Sequence, residues 1–411
     1  VDKPVVYVNA VGLQNSGKTA FVFDGGSAIY GPGGRLAAGP APFQEGVALV
    51  ETPLRPDAGF GRPLEERSEG IADLFDALAD GTRRFMALCG VSRVVVGVSG
   101  GIDSAVAAAL YRRLLPPADL LLVNMPGPFT SARTRALARD LAQALGCPYG
   151  EIPIEPGLAS TRTQLEGFAL ASGDGRWRET LRLSGEVLEN VQARDRSARI
   201  LAAVAAAVGG VFTCNANKSE TTVGYSTLYG DLGGYFANLA DLWKGEIYAL
   251  ARHLNERVYG QAVIPEGCFT VPPSAELSAA QDVEAGRGDP IQYPYHDCLF
   301  RSWVERWERV TPEEILDWYA AGSLEREIGY EGRVADRFPD ARAFVEDLER
   351  WWTLYQGMGV AKRLQAPPLL ALVRRAFGAD LREAQLGARF TARYAAVKAR
   401  LPAGLECTVE V

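Results

Sequence analysis

Residues 94–109 read V-V-V-G-V-S-G-G-I-D-S-A-V-A-A-A, and no other stretch constrains the fold as tightly. A β-branched apolar run leads straight into Ser99, Gly100 and Gly101, and then into a helix opening at Asp103 and Ser104. Two glycines let a backbone approach an anion closely, and a helix N-terminus offers N–H donors, with the Ser99 and Ser104 hydroxyls beside them. Asp103 in that first turn repels a phosphate unless a cation lies between the two. The loop therefore implies a magnesium-bound polyphosphate; the alternative is a plain glycine turn whose aspartate the helix dipole favours.

The surrounding pattern repeats the strand–loop–helix unit. A helix is predicted over 68–89, a strand over 93–98, a helix over 103–115, a strand over 119–125, a helix over 131–146 and a strand over 149–154. Helical segments reach about residue 208, a strand follows at 210–214, and the pattern beyond about 260 is mainly helical, with Trp-rich segments at 303–318 and 344–357. Continuous apolar strands separated by helices predict an α/β fold with a parallel sheet covered on both faces. No internal repeat or low-complexity tract interrupts it.

Composition removes several function classes. Apolar residues make up 47% and charged residues 23%, and the net charge of −7 lacks the basic footprint of a nucleic-acid binder. No run of 18 apolar residues and no charged-then-apolar leader occurs, so a soluble, cytoplasmic protein is expected. Only two histidines, His253 and His296, are present, which leaves no His-rich metal site. The six cysteines contain no C-x-x-C pair, which suits reduced thiols. Lysine occurs six times against 37 arginines, so each lysine is a candidate for a role arginine cannot fill.

Residues 12–19, G-L-Q-N-S-G-K-T, satisfy the phosphate-loop pattern, but the next residues, A-F-V-F-D-G-G-S, read as a strand. That motif needs a helix after it, so the segment is expected to be a hairpin turn between strands at 4–9 and 20–30. Two or three strands bury no core of their own, so residues 1–52 read as the end of something larger, with a Pro/Gly-rich linker over 53–64.

The S-G-G-I-D-S loop resembles the pyrophosphate loop of the N-type ATP pyrophosphatases. Further segments narrow the resemblance: E-N-V-Q-A-R-D-R at 189–196, N-K-S-E-T-T-V-G-Y-S-T-L-Y-G-D-L-G-G at 217–234, D-L-W-K-G-E-I-Y-A-L-A-R at 241–252, P-P-S-A-E-L at 272–277 and A-K-R-L-Q-A-P-P at 361–368. In that order they resemble the hallmarks of the NAD(+) synthetases over about 65–380, leaving 381–411 as a C-terminal extension. The opening V-Y-V-N-A-V-G and F-D-G-G-S resemble the last strands of the nitrilase-type glutaminase domain of the glutamine-dependent members.

The resemblance implies a Rossmann-like fold and ATP-dependent amidation of nicotinic acid adenine dinucleotide (deamido-NAD) to NAD through an adenylate, releasing pyrophosphate and AMP. It implies that Ser99, Gly100, Gly101, Ile102, Asp103 and Ser104 cradle the ATP pyrophosphate, that Asp103 and Glu220 hold Mg2+, and that Lys244 bridges phosphates, with Lys218 a second candidate. Met125 and Ser131 fall on the adenine side, with Asn215 at the neighbouring strand end. Asn190 and Arg194 share a helix face by their spacing, and with Arg196, Glu220 and Lys362 they are implied to receive the dinucleotide. Asp231 is implied to position ammonia or the adenylate; a simple turn is the other reading. At least a homodimer is implied. Gly245 stands where a Thr or Ser is usual, and Cys214-Asn215-Ala216 where Thr-Gly is common. A glutaminase triad needs a cysteine upstream of Cys89, so this chain is expected to use free ammonia or ammonia delivered from a glutaminase domain. Two other readings are open: another pyrophosphatase-loop enzyme, such as a tRNA-modifying one, and a catalytically incomplete nucleotide-binding fragment.

Overall fold

The computed structural model describes residues 3–31, 34, 36–49, 70–373 and 387–401. The first segment is all strand: β1 (Val5–Tyr7), β2 (Val11–Ser16), β3 (Thr19–Asp24), β4 (Ala28–Tyr30) and β5 (Leu36–Ala38). The strand expected over 20–30 breaks at Gly25 and Gly26, whose φ values of +76° and +61° L side chains rarely adopt. β4 therefore joins β1 and β5 in a separate antiparallel sheet. The 12–19 segment is strand–turn–strand: β2 pairs with β3 from Val11 opposite Asp24 to Ser16 opposite Thr19, and only Gly17 and Lys18 turn. The turn expected there is thus shorter than its motif, because Val11 and Leu13 already alternate as a strand.

The linker expected over 53–64 lies outside the described residues. After it, α1 (Ile71–Cys89), β6 (Val94–Gly97), α2 (Ile102–Leu114), β7 (Leu120–Asn124), α3 (Ala132–Leu145) and β8 (Tyr149–Glu151) alternate as the sequence pattern predicts. Next come α4 (Glu155–Leu165), the hairpin β9 (Ala169–Ala171) and β10 (Arg178–Thr180), and α5 (Gly185–Arg194), which passes through a wider π turn at Asp195–Leu201 into α6 (Ala202–Ala207). β11 (Val211–Phe212) closes a four-stranded parallel sheet of order β11-β6-β7-β8. Alternate residues of β6 face opposite ways: Val94 and Val96 pack with the Ala-rich α2, and Val95 packs with Val123, Ile200 and Leu201. Both faces are covered, which is why the strands are apolar throughout.

The remaining elements are α7 (Lys218–Val223), α8 (Lys244–His253), α9 (Glu266–Thr270), α10 (Tyr293–Val304), α11 (Pro312–Ala320), α12 (Leu324–Ile328), α13 (Ala341–Gln356), α14 (Met358–Gln365), β12 (Leu369–Ala371) and α15 (Ala392–Lys398). The Trp-rich segments form a second, aromatic core in which Tyr295, Phe300, Trp303, Phe344 and Trp351 are fully buried. α15 docks on it, Tyr394 donating to Glu349 over 3.1 Å. β12 returns to the start of the chain and pairs in parallel with β3, Leu369 opposite Thr19. The hairpin that cannot bury a core alone thus gains a third strand, and both strands press on α1 at Gly81. A Cβ there would lie 2.6 Å from Val22 Cγ2 and 2.7 Å from Leu370 Cδ1. Among the described residues no helix is long and apolar enough to cross a membrane.

Candidate active site

Strand β6 ends at the carboxyl edge of the sheet, and its loop enters α2 through Gly100 at φ +87°. A Cβ on Gly100 would lie 2.1 Å from the Thr134 carbonyl oxygen, so the loop packs against the first turn of α3 only because this residue is glycine. The loop is held from within: Ser99 N donates to Ser104 Oγ (3.2 Å), Ser104 Oγ to Gly101 O (3.1 Å) and Gly101 N to Ser99 Oγ (3.2 Å). Gly101 is the N-cap of α2 and contributes no side-chain cap, which leaves first-turn N–H groups for an anion.

Three distant segments place their charges beside this loop. Lys244 Nζ, on the first residue of α8, lies 2.5 Å from Asp103 Oδ2, while Asn217 Nδ2 donates to Asp103 Oδ1 over 3.0 Å. Asn217 and Glu220 form a capping box that starts α7: Glu220 N donates to Asn217 Oδ1, and Asn217 N to Glu220 Oε2. Tyr293 lies under Lys244, its ring centroid 4.7 Å from Nζ, and its hydroxyl is 3.2 Å from Glu220 Oε1 and 3.1 Å from Asp289 Oδ2. Burial and the Asp103 charge push the Glu220 carboxyl up to about 8, against the pull of Lys244. Burial likewise lifts Asp289 to about 6. Burial alone would lower the Lys244 ammonium, but Asp103 and Glu220 outweigh it and hold it above its ordinary value. Asp103, Glu220 and Asp289 thus gather around Lys244, although among the described residues no group of three acidic, His or Cys side chains is arranged to hold a metal ion.

A cleft of about 250 Å³ opens alongside, and a second lobe of about 170 Å³ adjoins it. Ser99, Asp103, Ser104, Met125, Arg196, Asn215, Glu220 and Asp231 all line the larger cleft, and Gly101, Ile102 and Lys244 line the lobe. Asn215 is fixed at its strand end, donating to Gly97 O over 3.1 Å and accepting from Thr213 Oγ1 over 2.7 Å. The P-P-S-A-E-L segment covers one wall. Glu276, at φ +47°, accepts from Ser131 N (3.0 Å) and Thr134 Oγ1 (2.7 Å), and Arg196 donates to the Ala275 and Met125 carbonyls. Burial raises the Asp231 carboxyl, whose Oδ1 accepts from Thr227 N over 2.6 Å.

Six of the residues implied by resemblance line neither lobe: Gly100, Ser131, Asn190, Arg194, Lys218 and Lys362. Ser131 caps α3 and lines a shallow groove with Phe129, Asp282 and Glu284. Asn190 accepts from Thr227 Oγ1 (2.7 Å), Arg194 Nε donates to Leu228 O (3.0 Å) and Lys362 Nζ donates to Gly224 O (2.8 Å). All three grip the segment 224–231 that leads to Asp231. Lys218 points the other way: its side chain is fully buried, 2.7 Å from both Asp241 Oδ1 and Glu305 Oε1, so it bridges no phosphate from there. Gly245 N donates to Asp297 Oδ2 (3.0 Å), which anchors the turn where a hydroxyl is usual. Asn217, Tyr293, Asp289 and Glu276 join the site without a role implied by the sequence. The N-x-x-E spacing before α7 signals Asn217, but nothing local marks Tyr293 or Asp289.

The NAD synthase family profile matches residues 74–322. This chain belongs to the NAD synthase family. A glutamine-dependent NAD(+) synthetase of Synechocystis sp. is 32% identical over 380 residues, covering 92% of this chain and 60% of that protein. One from Aquifex aeolicus is 32% identical over 346 residues, covering 76% and 56%. Among solved structures, the glutamine-dependent NAD+ synthetase from Acinetobacter baumannii in complex with adenosine diphosphate is 25% identical, with a TM-score of 0.52 over 92% of this chain and 61% of that one. A glutamine-dependent NAD(+) synthetase from Cytophaga hutchinsonii shares the fold, with a TM-score of 0.66 over 97% and 65% at 18% identity. The chain spans about three fifths of the length of these curated relatives.

Proposed function

We propose that this chain carries out NAD(+) synthesis from deamido-NAD. The observation that carries the reading is the meeting of the S-G-G-I-D-S loop with Asp103, Glu220 and Lys244 at the mouth of one cleft in an NAD synthase chain. In the first step the deamido-NAD carboxylate attacks the α-phosphorus of ATP; the bond to the bridging β-phosphate oxygen breaks and pyrophosphate leaves. In the second, ammonia attacks the acyl carbon of the adenylate, AMP departs with the bonding pair, and one ammonia proton is lost. Neither step needs a protein nucleophile, and burial pushes the Cys214 thiol up to about 12, which keeps it inert.

The work of the protein is to bring an anion onto a polyanion, which positioning and charge neutralisation achieve. The loop N–H groups and the Ser99 and Ser104 hydroxyls receive the pyrophosphate, and Lys244 moves from Asp103 towards the phosphates as a compact cation. Asp103 and Glu220 would hold Mg2+, whose chemistry is to neutralise phosphate charge. Met125 and Asn215 line the adenosine side; Asn190, Arg194, Arg196 and Lys362 set the dinucleotide wall, and Asp231 positions ammonia or the adenylate.

In the same reading, residues 1–52 correspond to the end of a nitrilase-like glutaminase domain, 53–64 to a linker, 65–380 to the synthetase and 381–411 to an extension. Ammonia is free or delivered from the glutaminase domain, the enzyme works as a homodimer or higher oligomer, and the location is cytoplasmic. Exchange of labelled pyrophosphate into ATP tests the first step. Exchange that requires deamido-NAD is expected, and exchange indifferent to deamido-NAD refutes the reading.

A further inference from the structure

The G-L-Q-N-S-G-K-T hairpin has no part in the proposed chemistry, yet its lysine is not free. Lys18 Nζ donates to the Leu364 carbonyl and lies 3.5 Å from the Arg363 carbonyl, both in the last turn of α14. Carbonyls there have no partner within the helix, and a lysine ammonium is suited to them by hydrogen bonding and by the helix dipole. The backbone adds a second tie: Leu369 N donates to Lys18 O over 3.0 Å, the first rung of the β3–β12 pairing.

Side chains of α14 hold the segment that leads from Glu220 to Asp231. Lys362 Nζ donates to Gly224 O over 2.8 Å, and Arg363 Nη1 donates to Thr222 O. Gln365 Oε1 accepts from Tyr229 N over 3.0 Å. Tyr229 is a non-glycine residue at φ +61° with its side chain exposed, a conformation that persists only where neighbours hold it. The fit is backbone to backbone: a Cβ on Gly224 would lie 2.6 Å from Gly359 Cα. With so little slack, a shift of α14 is passed to segment 222–231.

We propose that Lys18 is a positioning residue for the dinucleotide wall of the synthetase site, acting through α14 on Lys362 and on the segment 222–231. The inference rests on the functional reading above. It makes the N-terminal hairpin a structural part of the amide-forming site, although it lies some 200 residues upstream of that segment. Lys18→Met keeps the stem and removes the donors; Lys18→Arg keeps donors on a longer head.

The test titrates the full chain and both variants with deamido-NAD and measures KM for deamido-NAD and ATP separately in the ammonium reaction. Lys18→Met is expected to raise the Kd and KM for deamido-NAD by about three- to tenfold with KM for ATP within about twofold, and Lys18→Arg to recover most of the loss. Thermal unfolding of each variant tells a folding defect from a positioning one. An unchanged Kd in Lys18→Met overturns the proposal, as does an equal loss for both substrates that tracks a lowered Tm. Failure of the parent chain to bind deamido-NAD would instead sink the functional reading, and this proposal with it.

Discussion

Gly100→Ala tests the architecture of the loop, and its neighbour supplies the control. A methyl at Gly100 must occupy φ +87° and meets the Thr134 carbonyl oxygen at 2.1 Å and the Thr134 Cα at 2.9 Å. The backbone conformation alone costs about 1–2 kcal/mol. Overpacking against a helix backbone that cannot swing aside adds about 1–3 kcal/mol. The chain can relieve this cost of roughly 2–5 kcal/mol by peeling the loop from α3, but that strains the Ser99–Ser104–Gly101 hydrogen bonds. Unfolding entropy of about 2.1 cal/mol/K per residue makes the loss worth roughly 2–6 °C in Tm for a chain of 411 residues. A methyl on Gly101 sits at φ −85° and meets only Ser99 Oγ at 3.3 Å. Calorimetry on the two variants without nucleotide is the assay, followed by ATP titration. Gly100→Ala is expected to lower Tm within that range and to weaken ATP binding by at least about tenfold through loop displacement, while Gly101→Ala leaves Tm within about 1 °C. A Gly100→Ala chain as stable as its parent, or a Gly101→Ala chain less stable than Gly100→Ala, would refute the reasoning.

Three further outcomes follow from the same geometry. Lys218→Met removes the cation from the fully buried Asp241, which keeps only the Leu372 and Val373 N–H donors, while Glu305 retains Arg301 and the Trp243 indole; it is expected to cost about 3–5 kcal/mol in denaturant unfolding, and an unaltered midpoint contradicts the ion network. Gly81→Val drives a side chain into Val22 and Leu370, and limited proteolysis is expected to release the N-terminal hairpin faster than in the parent. Glu220 carries a proton in the folded chain between its ordinary 4.5 and about 8 that the unfolded chain has already lost. Its contribution to stability therefore falls as pH rises through that window and levels off above it, so nucleotide-free Tm should decline from pH 6 to 8.5 less steeply in Glu220→Gln; parallel profiles would count against the assignment.

The parts of the site legible in the sequence are those whose chemistry is local. Ser99 to Ser104 announce themselves because strand, glycine turn and helix start are consecutive, and Lys244 stands out because lysine is scarce. Lys218 misleads for the same reason. Scarcity marks it equally, but the face of α7 it occupies turns it towards Asp241 and Glu305, and only tertiary packing decides that. Tyr293 and Asp289 come from a Gly- and Pro-containing stretch, R-G-D-P-I-Q-Y-P-Y at 287–295, that carries no motif, and their meeting with Glu220 is a long-range contact no spacing records. Strand β12 is three residues long and exists because β3 and Ala237 offer it hydrogen bonds, so no periodicity marks it.

NAD formation from deamido-NAD, ATP and Mg2+, run in parallel with ammonium and with glutamine on the full chain, tests the central claim most directly. The account predicts NAD with ammonium, accompanied by equal amounts of AMP and pyrophosphate, whichever way the glutamine arm turns out. Bound ATP without NAD in the ammonium reaction, or ADP and phosphate as the products, would contradict it.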